Sequence, residues 1–140
     1  MKLHVTYTKQ KEINGYLNID ILDANQVEEL KNISTSSCSD IIISECLQIK
    51  EYEQSISILQ QILSKLRKNG EIHMSIIDID SFAVDIANSS ITDGEISSLL
   101  YHCNSCIGLD KIKKEFKNFG ITLQSLEQRE YFFVINGKRI

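Results

Sequence analysis

Four cysteines, three histidines and two closely spaced aspartates are the first residues in this chain whose types and spacing could do chemistry. His102-Cys103-Asn104-Ser105-Cys106 contains a C-x-x-C, and Cys38 and Cys46 bring the thiols to four. A tetrahedral zinc site would need all four, or three with His102, brought together. Cys38 and Cys46 flank the apolar run "DIIIS" at 40–44, at its two ends, so one strand length separates them. That spacing favours the alternative, reduced and half-buried thiols. A redox C-x-x-C belongs at the start of a helix directly after a strand, whereas this one follows an apolar helix. Asp78 and Asp80 would share one face if residues 71–80 form a strand, and could then bind a divalent cation or act as an acid-base pair. Helix capping or solvent exposure is the competing reading. His4, His73 and His102 have no triad spacing, and no G-x-S-x-G elbow is present, so no catalytic nucleophile is assigned.

The elements that would position these residues fit one domain spanning residues 1–140. A chain of this length buries enough surface to fold without disulfides or metal. Hydrophobic residues make up 42% and charged residues 24%, ordinary values for a globular chain. The net charge of −4 gives no global reason to expect a nucleic-acid partner. Lys111, Lys113, Lys114 and Lys117 read as the solvated face of a helix whose apolar face is Ile112, Phe116 and Phe119. No apolar run is long enough to span a bilayer, and no leader is indicated, so a cytoplasmic protein without membrane association is expected.

Period-two alternation from Leu3 through Val5 toward Tyr7 predicts a first strand, and residues 16–22 a second. A short helix over 26–32 turns Val27 and Leu30 inward, and "DIIIS" has the pattern of a strand buried on both faces of a parallel sheet. Apolar residues at 52, 56, 59, 63 and 66 predict an amphipathic helix, closed by "RKNG" with Asn69 and Gly70 at a left-handed cap. A strand over 71–80 follows. Asp80 or Ser81 would cap a helix through Phe82 and Ile86, Thr92 or Asp93 the next, and residues 111–118 form a last helix closed by Gly120. "ITLQSL" and "YFFVIN" complete a hairpin about the charged turn "EQRE". The composition of "YFFVI" suits the interior of the sheet and would be a liability at an edge. Alternating strands and helices imply an α/β fold, a mostly parallel sheet covered on both faces, with an antiparallel pair at the end.

This order resembles class I S-adenosylmethionine-dependent methyltransferases. "GYLNIDI" at 15–21 is similar to their "GYINIDI", "SDIIISECL" to their third-strand segment, "ILSKLRKNGEIHMSIIDID" to "lyRvLkPGGrlrisvPDl", and "IKKEFKNFGITLQSLEQREYFFVI" to their closing helix and hairpin. The resemblance covers nearly the whole chain and implies a Rossmann-like methyltransferase fold.

In that family a glycine-rich loop after the first strand lets the backbone approach the amino-acid end of the cofactor. The matching positions are Thr6, Tyr7 and Thr8, without a glycine. Asp20 matches the acid that accepts hydrogen bonds from the ribose hydroxyls; it could equally be a strand-end aspartate. Gln48 stands where a histidine would, and Ile77 replaces a proline. The resemblance thus implies a methyltransferase-fold protein with a degenerate S-adenosylmethionine site, a pseudoenzyme acting in binding or assembly with a protein partner or a second copy. No cofactor is expected in that case. The alternative is an active small methyltransferase holding S-adenosylmethionine through Asp20 and a rearranged loop.

Overall fold

The computed structural model describes residues 1–7 and 12–140. Along the described chain run β1 (Lys2–Thr6), β2 (Leu17–Asp20), α1 (Ala24–Asn32), β3 (Cys38–Ser44), a 3-10 turn (Leu47–Ile49), α2 (Tyr52–Lys65) and β4 (Leu66–Ile77). Then follow α3 (Ile79–Ala87), α4 (Asp93–Tyr101), α5 (Leu109–Asn118), β5 (Ile121–Arg129) and β6 (Phe132–Arg139). Among the described residues these strands form one sheet, in the order β2-β1-β3-β4-β6-β5. β1 to β4 are parallel, and β6 inserts antiparallel between β4 and β5. The predicted α/β class and terminal hairpin are therefore observed. β6 carries the apolar "FFVI", and its interior position pairs backbone groups on both edges, which an edge strand of that composition would leave open to aggregation.

Side-chain alternation sets the layers. Leu3, Val5, Ile19, Ile41, Ile43, Ile72, Met74 and Ile135 are buried on one face, together with Leu30 of α1, Ile56, Leu59, Ile62 and Leu63 of α2, and Ile112 and Phe116 of α5. Each such side chain contributes roughly 1.5–3 kcal/mol when fully buried, so this layer dominates the stability. The opposite face is the more polar of the two. His4 and Thr6 are buried there, but Asn18, Asp40, Ile42, Ser44, His73, Ser75 and Asn136 are only half-buried. Polar pairs hold this face: the His4 ring bonds Asn18 Oδ1 at 2.7 Å and Ser44 Oγ at 2.9 Å, and His73 Nδ1 lies 2.6 Å from Asn136 Oδ1.

Local chemistry explains the boundaries. Asp23 caps α1, its side chain accepting from the backbone N–H groups of Asn25 and Gln26. Thr92 and Glu95 form a reciprocal capping box at α4. Three expected boundaries are corrected. "RKNG" does not close a helix: α2 ends at Lys65, and residues 67–70 bulge out of β4, since Cys38 pairs with Leu66 but Asp40 pairs with Glu71. Asn69 supplies the left-handed residue, with φ 63°. Gly70 is needed for close approach, because a Cβ there would lie 2.8 Å from Leu66 Cδ1 and 3.1 Å from the Cys38 carbonyl oxygen. The strand also stops at Ile77, and Asp78, rather than Asp80 or Ser81, caps α3. Lastly, the hairpin turn is Glu130-Tyr131 alone, because Glu127 to Arg129 remain in β5.

Candidate functional site

Strand order reverses at β1 and β3: the chain moves outward from β1 to β2, then returns to the other side of β1. Loops diverge at such a point, and the C-terminal ends of the strands leave a crevice. A cleft of about 1010 Å3 opens there, bordered by Tyr7 after β1, Glu45 after β3, Ile77 at the end of β4, and residues of α3, α4 and the β5–β6 turn.

Tyr131 in that turn ties the edge of the cleft to α3. Its hydroxyl donates to Asp85 Oδ2 at 2.6 Å, its ring meets Phe82 edge-on at 5.3 Å, and its carbonyl accepts from the Asp78 N–H at 2.7 Å. The hydrogen bond to Asp85, then burial and the charges of Asp85, Glu95 and Glu130, push the phenol up to about 12. Also on the lining, Gln48 Nε2 donates to the Glu45 carbonyl at 2.6 Å. The Gln48 carbonyl in turn accepts from Asn104 and Ser105 N–H at 2.7 and 3.0 Å, which ties the C-x-x-C segment to the 3-10 turn. Glu45 and Glu130 adopt left-handed backbone, φ 43° and 52°, uncommon away from glycine.

No protein-family model and no curated protein sequence matches the chain. Solved structures do. The chain superposes on a methyltransferase from Thermotoga maritima, described as S-adenosylmethionine-dependent and a possible histamine N-methyltransferase, with a TM-score of 0.62 and 12% identity over 99% of this chain and 82% of that one. It matches the Synechocystis magnesium protoporphyrin IX methyltransferase with bound S-adenosylhomocysteine at 0.57 and 11%, over 89% of this chain and 51% of that one. An O-methyltransferase family protein from Burkholderia thailandensis matches at 0.60 and 12%, over 89% and 35%. The fold is that of a class I S-adenosylmethionine-dependent methyltransferase. The chain spans only about a third to a half of the length of the latter two.

The residues that the sequence resemblance matches to a cofactor site are placed as follows. Thr6 ends β1, fully buried, and its Oγ1 has no hydrogen-bond partner among the described residues. The half-buried Tyr7 ring packs against the core, with its centroid 6.0 Å from that of His102, and borders the cleft. Thr8 lies outside the described residues. Asp20 ends β2, where its Oδ1 accepts the Leu22 N–H at 2.9 Å and its own N–H donates to Gln26 Oε1 at 2.8 Å. Asp20 does not border the cleft, so the fold brings Tyr7 to the cleft but leaves Asp20 to one side among the described residues.

The other candidates resolve by placement. Asp78 and Asp80 do not share a strand face: Asp78 is the buried cap of α3, bonded to Ser81 Oγ at 2.7 Å and Gln128 Nε2 at 2.6 Å, and Asp80 is exposed in the first turn. Cys38 and Cys46 are buried at opposite ends of β3, and Cys103 and Cys106 are half-buried. Burial raises all four thiols, Cys46 to about 12, which suppresses the reactive thiolate. Among the described residues no group of three or more His, Cys, Asp or Glu is placed to hold a metal ion. His4 and His73 serve the polar sheet face, while His102 borders the cleft. Lys111 pairs with Glu115 at 3.0 Å across one turn of α5, as a helix face would. No helix among the described residues is long and apolar enough to cross a membrane.

Asp85, Glu95, Glu130 and Tyr131 were not singled out by sequence reasoning. Glu95 had a legible signal, three residues after Thr92 in a capping box. Asp85 lies on α3 and the adjacent Glu130 and Tyr131 on the β5–β6 turn, with no sequence pattern linking the two elements, and only packing brings them together.

Proposed function

We propose that this chain is a methyltransferase-fold binding component with a degenerate S-adenosylmethionine site, which does not transfer methyl groups. The observation that carries the reading is at the end of β1. A tyrosine side chain stands on the cleft wall at a position where the family has glycine, and Asp20, the ribose-binding match, does not border the same cleft. Thr6 is extended and buried, a conformation that offers no glycine-type cradle for the amino-acid end of the cofactor. The Asp20 carboxylate also already holds the Leu22 N–H. These residues fit the cofactor poorly, so no reaction step is routed through it.

The second reading, an active small methyltransferase, is favoured by Asp20 Oδ2, which accepts no hydrogen bond from the described residues and keeps the chemistry needed for a ribose hydroxyl. Transfer in such enzymes depends mainly on aligning donor and acceptor, so the lack of a general base does not count against it. Isothermal titration of the purified chain with S-adenosylmethionine and with S-adenosylhomocysteine separates the two. No heat of binding is expected at micromolar ligand; micromolar affinity for either compound overturns the proposal.

A further inference from the structure

Helix α3 presents its polar side to the protein and its apolar side to water. Ser81 Oγ donates to Asp78 Oδ2 at 2.7 Å and accepts from Gln128 Nε2 of β5, and Asp85 accepts from the Tyr131 hydroxyl of the hairpin turn. Ser81 and Asp85 are one turn apart and share a face, so that face meets the β5–β6 hairpin. Phe82, beside them, packs edge-on against Tyr131 and is the one buried residue of the helix. On the other side Ile79, Ala83 and Ile86 recur at helical spacing, with Val84 and Ala87 next to them. All five are exposed, Val84 at 56% and Ile86 at 39%. A surface helix ordinarily turns its apolar stripe to the core, and here the arrangement is reversed. The next helix, α4, buries none of its residues and leaves Leu100 and Tyr101 exposed. Single exposed apolar side chains need no explanation, but a stripe along one helix marks a contact surface.

Charge distinguishes what covers it. From Asp78 to Tyr101 the chain has five acidic residues and no lysine or arginine, so this segment accounts for the whole net charge of −4. Asp80, one turn before Val84, and Asp93, at the start of α4, are exposed. A two-fold dimer through this face would set one acidic segment against another, and an anionic lipid surface would be repelled by it. A protein segment with lysine or arginine beside an apolar stripe complements both features.

We infer that the outward face of α3 docks a basic amphipathic helix of a protein partner, its apolar stripe on Ile79, Val84 and Ile86 and its cationic residues drawn to Asp80 and Asp93. The inference rests on the reading of this chain as a binding component and adds the surface and the class of partner.

The test uses a leucine–lysine peptide patterned as an amphipathic helix and its leucine–glutamate counterpart, each titrated into the whole chain by calorimetry and by amide chemical-shift mapping. Saturable binding of the lysine peptide, with shifts centred on α3, is expected, and none of the glutamate peptide. The double substitution Val84→Gln with Ile86→Gln, at exposed positions and with a good helix former, is expected to weaken binding about tenfold through lost apolar contact. Its fold is checked by circular dichroism. Asp80→Asn with Asp93→Asn is expected to weaken binding and to reduce its dependence on salt. Sedimentation of the chain alone tests the second copy as the occupant. Equal binding of the glutamate peptide, no saturable binding of the lysine peptide at submillimolar concentration, or unchanged affinity in the folded Val84→Gln, Ile86→Gln variant overturns the inference. So does self-association of the chain that this variant abolishes. Neither peptide carries adenosine or sulfonium, so these results stand whatever the cofactor titration shows.

Discussion

The Tyr131 hydroxyl donates to Asp85 Oδ2 at 2.6 Å, so the β5–β6 turn and α3 are joined across the end of the sheet. Tyr16 makes the equivalent bond to Asp40 at the other side of the sheet. Each carboxylate accepts from a neutral phenol and opposes its ionisation.

Both phenols are pushed up to about 12, first by the hydrogen bond to the carboxylate and then by burial. Of the five tyrosines, Tyr16 and Tyr131 are therefore expected to titrate late in an alkaline absorbance titration, above the ordinary tyrosine value of about 10. Asp40→Asn should return one of them toward that value. A raised folded pKa contributes stability below about pH 10, which is lost as pH rises toward 12. A single tyrosine class in the folded protein would contradict this.

His4 joins three strands: its ring contacts Asn18 of β2 and Ser44 of β3 while its backbone lies in β1. Asn18 Nδ2 donates to the carbonyls of Ile13 and Tyr16, so Asn18 Oδ1 is the acceptor and His4 Nδ1 carries the hydrogen. His4→Ala is expected to cost about 2–4 kcal/mol, from a cavity and a lost donor to a part-buried acceptor. Urea unfolding measures it, and a cost under about 0.5 kcal/mol, the usual range for surface substitutions, would remove His4 from the framework.

Gly137 in β6 lies under α5. A Cβ there would stand 2.8 Å from Phe116 Cε2 and 2.8 Å from Ile121 Cγ2, both packed core atoms. Gly137→Ala should therefore destabilise by about 1–3 kcal/mol through overpacking. Gly108→Ala is the control, since nothing lies within 4 Å of its added methyl. Thermal unfolding of the two variants should rank them in that order.

Glu115 is buried on α5 and held by Lys111 at 3.0 Å and by Gln60 Nε2 at 3.3 Å. The Lys111 hydrogen bond, supported by Gln60, lowers its pKa against the opposing effect of burial. A lowered folded pKa contributes stability above the ordinary glutamate value of about 4.3, which is lost as pH falls through the folded value. Glu115→Gln should flatten the acid limb of a melting-temperature profile below about pH 4, and an unchanged slope there would mean the pair contributes nothing measurable.

Periodicity in the sequence was enough for the element order, because apolar spacing of two or near 3.6 residues is imposed by which face must be buried. The amphipathic α2, the apolar β3 and the terminal hairpin were all legible in this way. Boundaries were less so. "RKNG" has the chemistry of a helix cap, but pairing of Leu66 with Cys38 captured the residue before it and turned the segment into a bulge. Asp78 and Asp80 alternated as if in a strand until Tyr131 bonded the Asp78 N–H and its carboxylate took up the cap of α3.

By itself the sequence determined the α/β class, the interior character of "FFVI" and the absence of glycine from Thr6, Tyr7 and Thr8, all local properties of composition and spacing. Tertiary structure alone decided that Tyr7 meets His102 at the cleft, that Asp20 stands outside it, and that Glu45, Asp85, Glu95 and Glu130 surround one space. Those four carboxylates are up to 85 positions apart in the chain. No pattern of spacing encodes their meeting, because it depends on where the strand order reverses and on how the hairpin inserts beside β4.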